Sequence, residues 1–199
     1  MLNRNGLIIG IKKEMNIKTK IMKNLFYPIC AIVILLTSAK MALPVQDYKV
    51  SNGYSVKFES KDPSGIFEEL KGDVSFDKDN LSDSRMDFEI DVASISMGNG
   101  MKNKKSMTAE WFDQAKYPKI TFVSSKLEKG DNGYYVHGNL TMKGTKRYRK
   151  IPIDISNTSN GIKITSTFWV ERSYYKIGKS GGGVPDKMKL TVSIPLSKK

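Results

Sequence analysis

The chain of 199 residues carries 33 Lys and Arg against 20 Asp and Glu, a formal net charge of +13, with one cysteine and one histidine. A lone cysteine excludes an internal disulfide framework and a cysteine metal set, and a lone histidine excludes a multi-histidine metal site. What the composition leaves is a basic chain long enough for one domain with a sizeable core.

From Asn16 to Lys23 the chain carries Lys18, Lys20 and Lys23 without an acid, and an apolar run from Leu25 to Leu36 follows, closing in Thr37, Ser38 and Ala39. This order predicts a secretory signal peptide: the run is about 12 residues long and holds Pro28, whereas a spanning helix wants about 20 apolar residues. Met15 or Met22 is the natural start for a signal of ordinary length, and cleavage is expected after Ala39 or, as the second choice, after Ala42. The chain then divides into an N-terminal extension with a cleavable signal over 1–39 and a folded domain over 40–199. Cys30 falls mid-run inside the signal and lacks the small residues that precede an acylated cysteine. Residues 1–39 hold six basic and one acidic side chain, so +5 of the charge lies there and +8 stays with the domain. Export is the expected localisation, to the periplasm in a Gram-negative source and to the medium otherwise.

Along the domain, alternation of period two recurs and helical periodicity hardly does. Val56 and Phe58 begin it, then Val74 and Phe76, then Met86, Phe88, Ile90 and Val92. "MTAEWFDQAKYPKITFVSS", Met107 to Ser125, changes period abruptly. Trp111, Phe112 and Ala115 have the spacing of one helical face, Pro118 ends that segment, and Ile120 and Phe122 then share one face of a strand opposite Thr121 and Val123. Alternation returns at Tyr134, Val136, Leu140 and Met142, at Ile151, Ile153 and Ile155, at Ile162, Ile164, Phe168 and Val170, and from Met188 to Leu196. Eight strands are predicted, separated by turn-forming stretches such as "DKDNLSDS" from Asp77, "KGDNG" from Lys129, "KGTK" from Lys143 and "GKSGGGVPDK" from Gly178.

Eight antiparallel strands with one apolar face each can close into a barrel or stack as a sandwich. The inward set contains bulky or flexible side chains, Met86, Met142 and Met188 among them, and an interior of about eight strands is either filled by side chains or holds one small ligand. The pattern leaves those two possibilities open. The expected fold is all-β, an eight-stranded antiparallel β-barrel with a short helical segment near 105–115 as a lid or plug at one end. The early strands are expected to line the interior with Val56, Phe58, Phe76, Phe88 and Ile90. Trp111 and Phe112 come from the plug, and Phe122, Leu140, Met142 and Phe168 from the later strands.

"YSVKFES", "GIFEELKGDVSFD", "FEIDVASISMGN", "EWFDQAKYPKITFVSS" and "VHGNLTMKGTKRYRKIPI", in this order from about Tyr48 to Leu196, resemble the YceI-like family of exported lipid-binding barrels. The resemblance implies a lipocalin-like antiparallel barrel with an elongated apolar pore for an isoprenoid chain, such as a polyprenyl or quinone tail. Three stretches depart from the family pattern. Phe58-Glu59-Ser60-Lys61 lacks a histidine often found there, Lys102-Asn103-Lys104-Lys105 replaces an Arg-Asp pair, and Arg172-Ser173-Tyr174-Tyr175 is not followed by the usual Asp-Phe-Gly. These positions fall in loops and at strand ends, where a ligand's polar end would be read.

Sharper motifs fail. Gly178-Lys179-Ser180 echoes a phosphate-binding loop, but Ser173 stands where that loop needs its first glycine. The acids from Asp77 suit the opening of a calcium loop, but Ser82 and Phe88 occupy the glycine and bidentate-acid positions. His137, on an alternating strand beside Gly138, is expected to face solvent. "KGTKRYRK" (Lys143–Lys150) and "KNKK" (Lys102–Lys105) are charged turns or sites of attraction for phosphate or an anionic membrane surface. Nucleic acid is disfavoured because the aromatic residues keep mostly to the apolar face and do not interleave with the lysines. Three function classes follow: a carrier or sequestering protein for a long apolar lipid, with no cofactor; an enzyme on a lipid-like substrate, disfavoured by the missing nucleophile and metal sets; and a packed, non-enzymatic barrel acting through a protein partner.

Overall fold

The computed structural model describes residues 45–181 and 183–199. The expected signal, its start and its cleavage after Ala39 or Ala42 lie outside the described residues. Strands form where the alternation runs. β1 (Gln46–Val50), β2 (Ser55–Glu59), β3 (Ser64–Phe67), β4 (Leu70–Phe76), β5 (Arg85–Asp91) and β6 (Ile95–Ser96) precede one helix, α1 (Gly100–Ser106). β7 (Lys119–Gly130), β8 (Gly133–Met142), β9 (Thr145–Thr158), β10 (Gly161–Glu171) and β11 (Lys187–Lys198) follow it.

These eleven segments make eight walls. β1 and β2 both pair with β11, Val50 opposite Leu196 and Val56 opposite Val192, so they are two halves of one strand bent at the Asn52-Gly53 turn. β4 and β3 pair with those halves in turn, and β5 and β6 with β4 and β3, which carries the same bend through three neighbouring walls. All pairings are antiparallel, and the β1–β11 contact closes the ring. The predicted eight-stranded antiparallel barrel is therefore the observed fold. Closure removes the long free edges that an open sheet of this kind would present.

The helix begins earlier than the 105–115 expectation. The Asn99 side chain accepts hydrogen bonds from the amides of Met101 and Lys102, an N-cap that fixes the first turn. Residues 107–117 form successive turns, with the Phe112 amide donating to Ser106 O and the Tyr117 amide to Asp113 O. Asp113 has φ 51°, a left-handed conformation that a continuing helix cannot contain. The aromatic pair is thus carried by a turn-built strap that hands over to β7 at Pro118.

The two ends of the barrel differ. Where β4 ends and β8 begins, the interior is solid: Val74 and Leu196 are 1% and 2% exposed, and Tyr48, Leu127 and Ile162 pack with them. Phe76 belongs to this floor, with its ring edge-on to Tyr134 at 5.7 Å between centroids. The opposite end is hollow under the strap.

A bulge in β7 between Ser124 and Lys126 serves the wall. It turns the buried Ser124 hydroxyl to accept the amide of the equally buried Met86 at 2.7 Å, replacing a missing ladder bond. Ser124→Ala would leave that amide unpaired. Chemical denaturation should show a loss of about 1–3 kcal/mol, the cost of an unsatisfied buried donor.

Candidate functional site

The upper barrel encloses a cavity of about 340 Å³, within the range of small-molecule sites. Its walls are almost wholly apolar because β2 to β11 present their inward alternate residues to it. Of the expected lining residues, Val56 and Phe58 face it from β2, Phe88 and Ile90 from β5, and Phe122 from β7. Leu140 and Met142 face it from β8, Phe168 from β10, and Trp111 and Phe112 from the strap. Phe76 is a correction: it lies outside the cavity, because its strand position falls in the packed floor.

Three phenylalanines of the wall, Phe58, Phe88 and Phe122, pack on glycines of neighbouring strands. A Cβ at Gly65 would stand 2.6 Å from Phe58 Cζ, one at Gly72 2.5 Å from Phe88 Cδ1, and one at Gly138 2.7 Å from Phe122 Cζ. The glycines give each ring a recess, and the cross-strand carbonyls of Ser96, Asp87 and Val123 stand closer still, so neither ring nor backbone leaves room for a side chain there. These pairings went unread in the sequence, although Gly72 and Gly138 interrupt otherwise regular strands and such interruptions mark a close approach.

The roof is built by the strap, α1 and residues 172–181 and 183–186. Arg172 belongs to a stretch that the sequence places in loops or at strand ends, and it follows β10 directly. It is 4% exposed and lines the cavity, and it donates to four carbonyl oxygens: Nε to Pro185, Nη1 to Ile177, and Nη2 to Lys179 and Val184. Its parity with Phe168 and Val170, both inward, was the available signal. The guanidinium carbon also sits 5.5 Å from the Trp111 ring centroid, a cation–π distance. The Trp111 ring in turn covers Gly178, whose amide donates to Glu110 O. Lys143, read as part of a charged turn, donates to the carbonyls of Ala109, Glu110 and Lys176 at 2.8, 3.0 and 2.8 Å and so ties the strap to the roof segment.

Among the described lining residues the charged groups gather at this end, and Ser166 on β10 is the one polar side chain away from it. Lys102, Lys105 and Arg172 line the mouth, and Asp62 there is paired with Lys102 at 2.8 Å. The Trp111 indole nitrogen is buried without a protein acceptor. His137 lies on the outer wall and not in the cavity, the strand face expected for it, but neighbouring side chains cover it. Its side chain is 13% exposed, covered by Tyr148 and Glu128, with Nε2 3.0 Å from Glu128 Oε1 but outside hydrogen-bond geometry. Glu128 is held well below the usual carboxylate range, first by its bond from Lys126 and then by Lys150 and His137.

Known proteins share this architecture. A solved structure of Burkholderia cenocepacia BcnA superposes with TM-score 0.67 at 27% identity, covering 71% of this chain and 94% of that one. A Campylobacter jejuni YceI protein gives 0.62 at 18% identity over 82% and 94%. A polyisoprenoid-binding domain from Saccharophagus degradans gives 0.60 at 12% identity over 78% and 100%. Among sequences, a UPF0312 protein of Vibrio parahaemolyticus is 30% identical over 116 residues, 57% of this chain and 58% of that protein. One from Photorhabdus laumondii is 28% identical over 42% and 43%. The chain thus spans about half the length of the curated relatives it matches. Residues 48–196, from the first wall of the barrel to the last, match the YceI-like domain, and the chain belongs to that family.

Proposed function

We propose that the protein holds one long apolar chain, a polyisoprenoid or the tail of a quinone-like lipid, in the upper barrel, and that it is exported to carry or sequester that lipid. The observation that carries this reading is the hollow half of the barrel: an apolar cavity whose charged groups, among the described residues, all gather at the roof. A chain with an apolar tail and a polar end fits that asymmetry. The tail lies among Phe88, Phe122 and Phe168, and the head, an acceptor, lies near Arg172, Lys105 and the unpartnered Trp111 indole. Each methylene taken from water contributes about 0.8 kcal/mol. Membership of the YceI-like family, and the fold shared with a domain described as polyisoprenoid-binding, support the same reading.

Organic extraction or native mass spectrometry of protein purified from a membrane-containing host should reveal a long-chain apolar molecule. Recovery of empty protein, with no gain in melting temperature on adding prenyl lipids, would favour a barrel acting through a protein partner. Export is tested separately: the protein recovered from an expressing bacterium should begin after Ala39 or Ala42, and a mature chain starting at Met15 or earlier would refute it.

Two aromatic truncations should have different effects. Phe122→Ala removes a ring packed on Gly138 and on the wall, so stability should fall by about 3 kcal/mol, the low end for large aromatic truncations, because one face of the ring borders the cavity. Trp111→Ala loosens the roof, and lipid release should accelerate several-fold with little change in melting temperature, since a strap contributes less than a strand to the cooperative core. Equal destabilisation with unchanged release rates would assign Trp111 to the core and sink the roof assignment.

A further inference from the structure

The barrel wall is not hydrogen-bonded all the way round. Between β9 and β10 the ladder joins only Gly161–Thr165 to Thr158–Asp154, although β9 begins at Thr145 and β10 runs on to Glu171. Beyond Thr165 side chains bridge the strands instead. Ser166 Oγ donates to Pro152 O at 2.6 Å, Arg149 Nη2 to Trp169 O at 2.6 Å, and Arg147 Nε to Tyr174 O at 2.8 Å. Pro152 has no amide hydrogen to offer across the gap. Ile151 and Ile153 on one lip and Phe168 and Val170 on the other line the cavity, so the seam opens directly on the apolar interior. Tyr175, fully buried with its hydroxyl unpartnered, sits beside Arg149 and Arg147.

The outer lips carry aromatic rings and cations. Tyr148, Trp169 and Tyr174 are 61%, 49% and 47% exposed. Among the described residues Lys146, Arg147, Arg149 and Lys187 enter no ion pair. Arg147 stacks on Tyr174 at 5.1 Å and Lys187 on Trp169 at 5.0 Å. The acids beside them are Glu171 and Asp186, the latter already engaged by the amide and hydroxyl of Ser173. Half-exposed Trp and Tyr rings settle at the head-group level of a bilayer, and unpaired Lys and Arg meet anionic lipid phosphates. A cationic patch could meet an acidic protein as well, but a split leading to an apolar cavity at its centre favours a lipid surface.

We propose that the face around the β9–β10 seam docks on an anionic membrane and that the seam is the side door through which the apolar chain passes between bilayer and cavity. The door rests on the lipid-holding function proposed above. A chain moving sideways avoids water, whereas exit through the intact roof must break the carbonyl bonds of Arg172 and Lys143, so the roof becomes a competing route only where Trp111 is removed. Opening the seam breaks three side-chain bonds and no ladder.

Docking is read by co-sedimentation of the purified protein with phosphatidylcholine vesicles with and without phosphatidylglycerol. Binding should require phosphatidylglycerol and weaken with salt. Lys146→Gln/Lys187→Gln/Trp169→Ser should reduce it at least tenfold, each cation accounting for roughly fivefold, while Lys57→Gln/Lys71→Gln on β2 and β4 should not. Equal loss in both variants, equal binding to both vesicle types, or no vesicle binding, as an acidic protein partner would give, overturns docking. The door is read without vesicles, as release of a fluorescent geranylgeraniol to cyclodextrin. Arg147→Gln/Arg149→Gln, and separately Ser166→Ala, should accelerate release several-fold at unchanged equilibrium occupancy; unchanged rates in both overturn the door. A protein that never loads the probe would refute the lipid-holding function and the door together, and the vesicle result would still decide docking.

Discussion

The hollow of this barrel depends on where its phenylalanine rings can lie. An eight-stranded barrel is narrow enough for inward side chains to fill it, and this chain directs Phe58, Phe88, Phe122 and Phe168 inward from different walls. Gly65, Gly72 and Gly138 provide recesses at which a Cβ would collide with the Phe58, Phe88 and Phe122 rings. Each glycine weakens its own strand, and the covering ring restores part of the lost packing. The same residues that a core would use thereby become the lining of a cavity.

That device works only because stability is supplied elsewhere. The floor, with Val74, Leu127, Ile162 and Leu196, is packed as a core. At the roof Arg172 and Lys143 donate to seven carbonyl oxygens in all, four and three, and neither takes a carboxylate partner; Asp186 is engaged by Ser173 instead. A carboxylate partner would neutralise Arg172. Carbonyls satisfy its donors and leave its charge at the mouth, beside Lys105 and the indole of Trp111.

The barrel was legible in the sequence because period-two alternation reports directly which side chains face inward, and eight separated runs of it require eight walls. The bends were not. β1, β3 and β6, of five, four and two residues, are short halves of bent walls that the alternation does not separate out as strands. Ten of the eleven expected lining residues do face the cavity; Phe76 does not, because alternation gives the side of a wall and says nothing of height along the barrel axis. Arg172 and Lys143 were missed for another reason. Their partners are backbone carbonyls, which leave no mark in a sequence, and a lysine or arginine after a turn looks the same whether it is solvated or holds a roof.

An apolar cavity of this size has a thermodynamic consequence that links the fold to its use. Lining atoms that face a void forgo their dispersion contacts, and an apolar void stays dry, so water does not replace them. The empty barrel is therefore less stable than a packed barrel of the same length would be. An occupant that meets Phe88, Phe122, Phe168 and their neighbours supplies the missing contacts, and anything that binds the folded state alone stabilises it in proportion to the logarithm of its concentration over its dissociation constant. A wall that holds its shape through ladder bonds while forgoing contacts at its centre is thus built to gain stability from its ligand. The seam between β9 and β10, where the ladder stops, is the place where that wall can yield without the floor losing its packing.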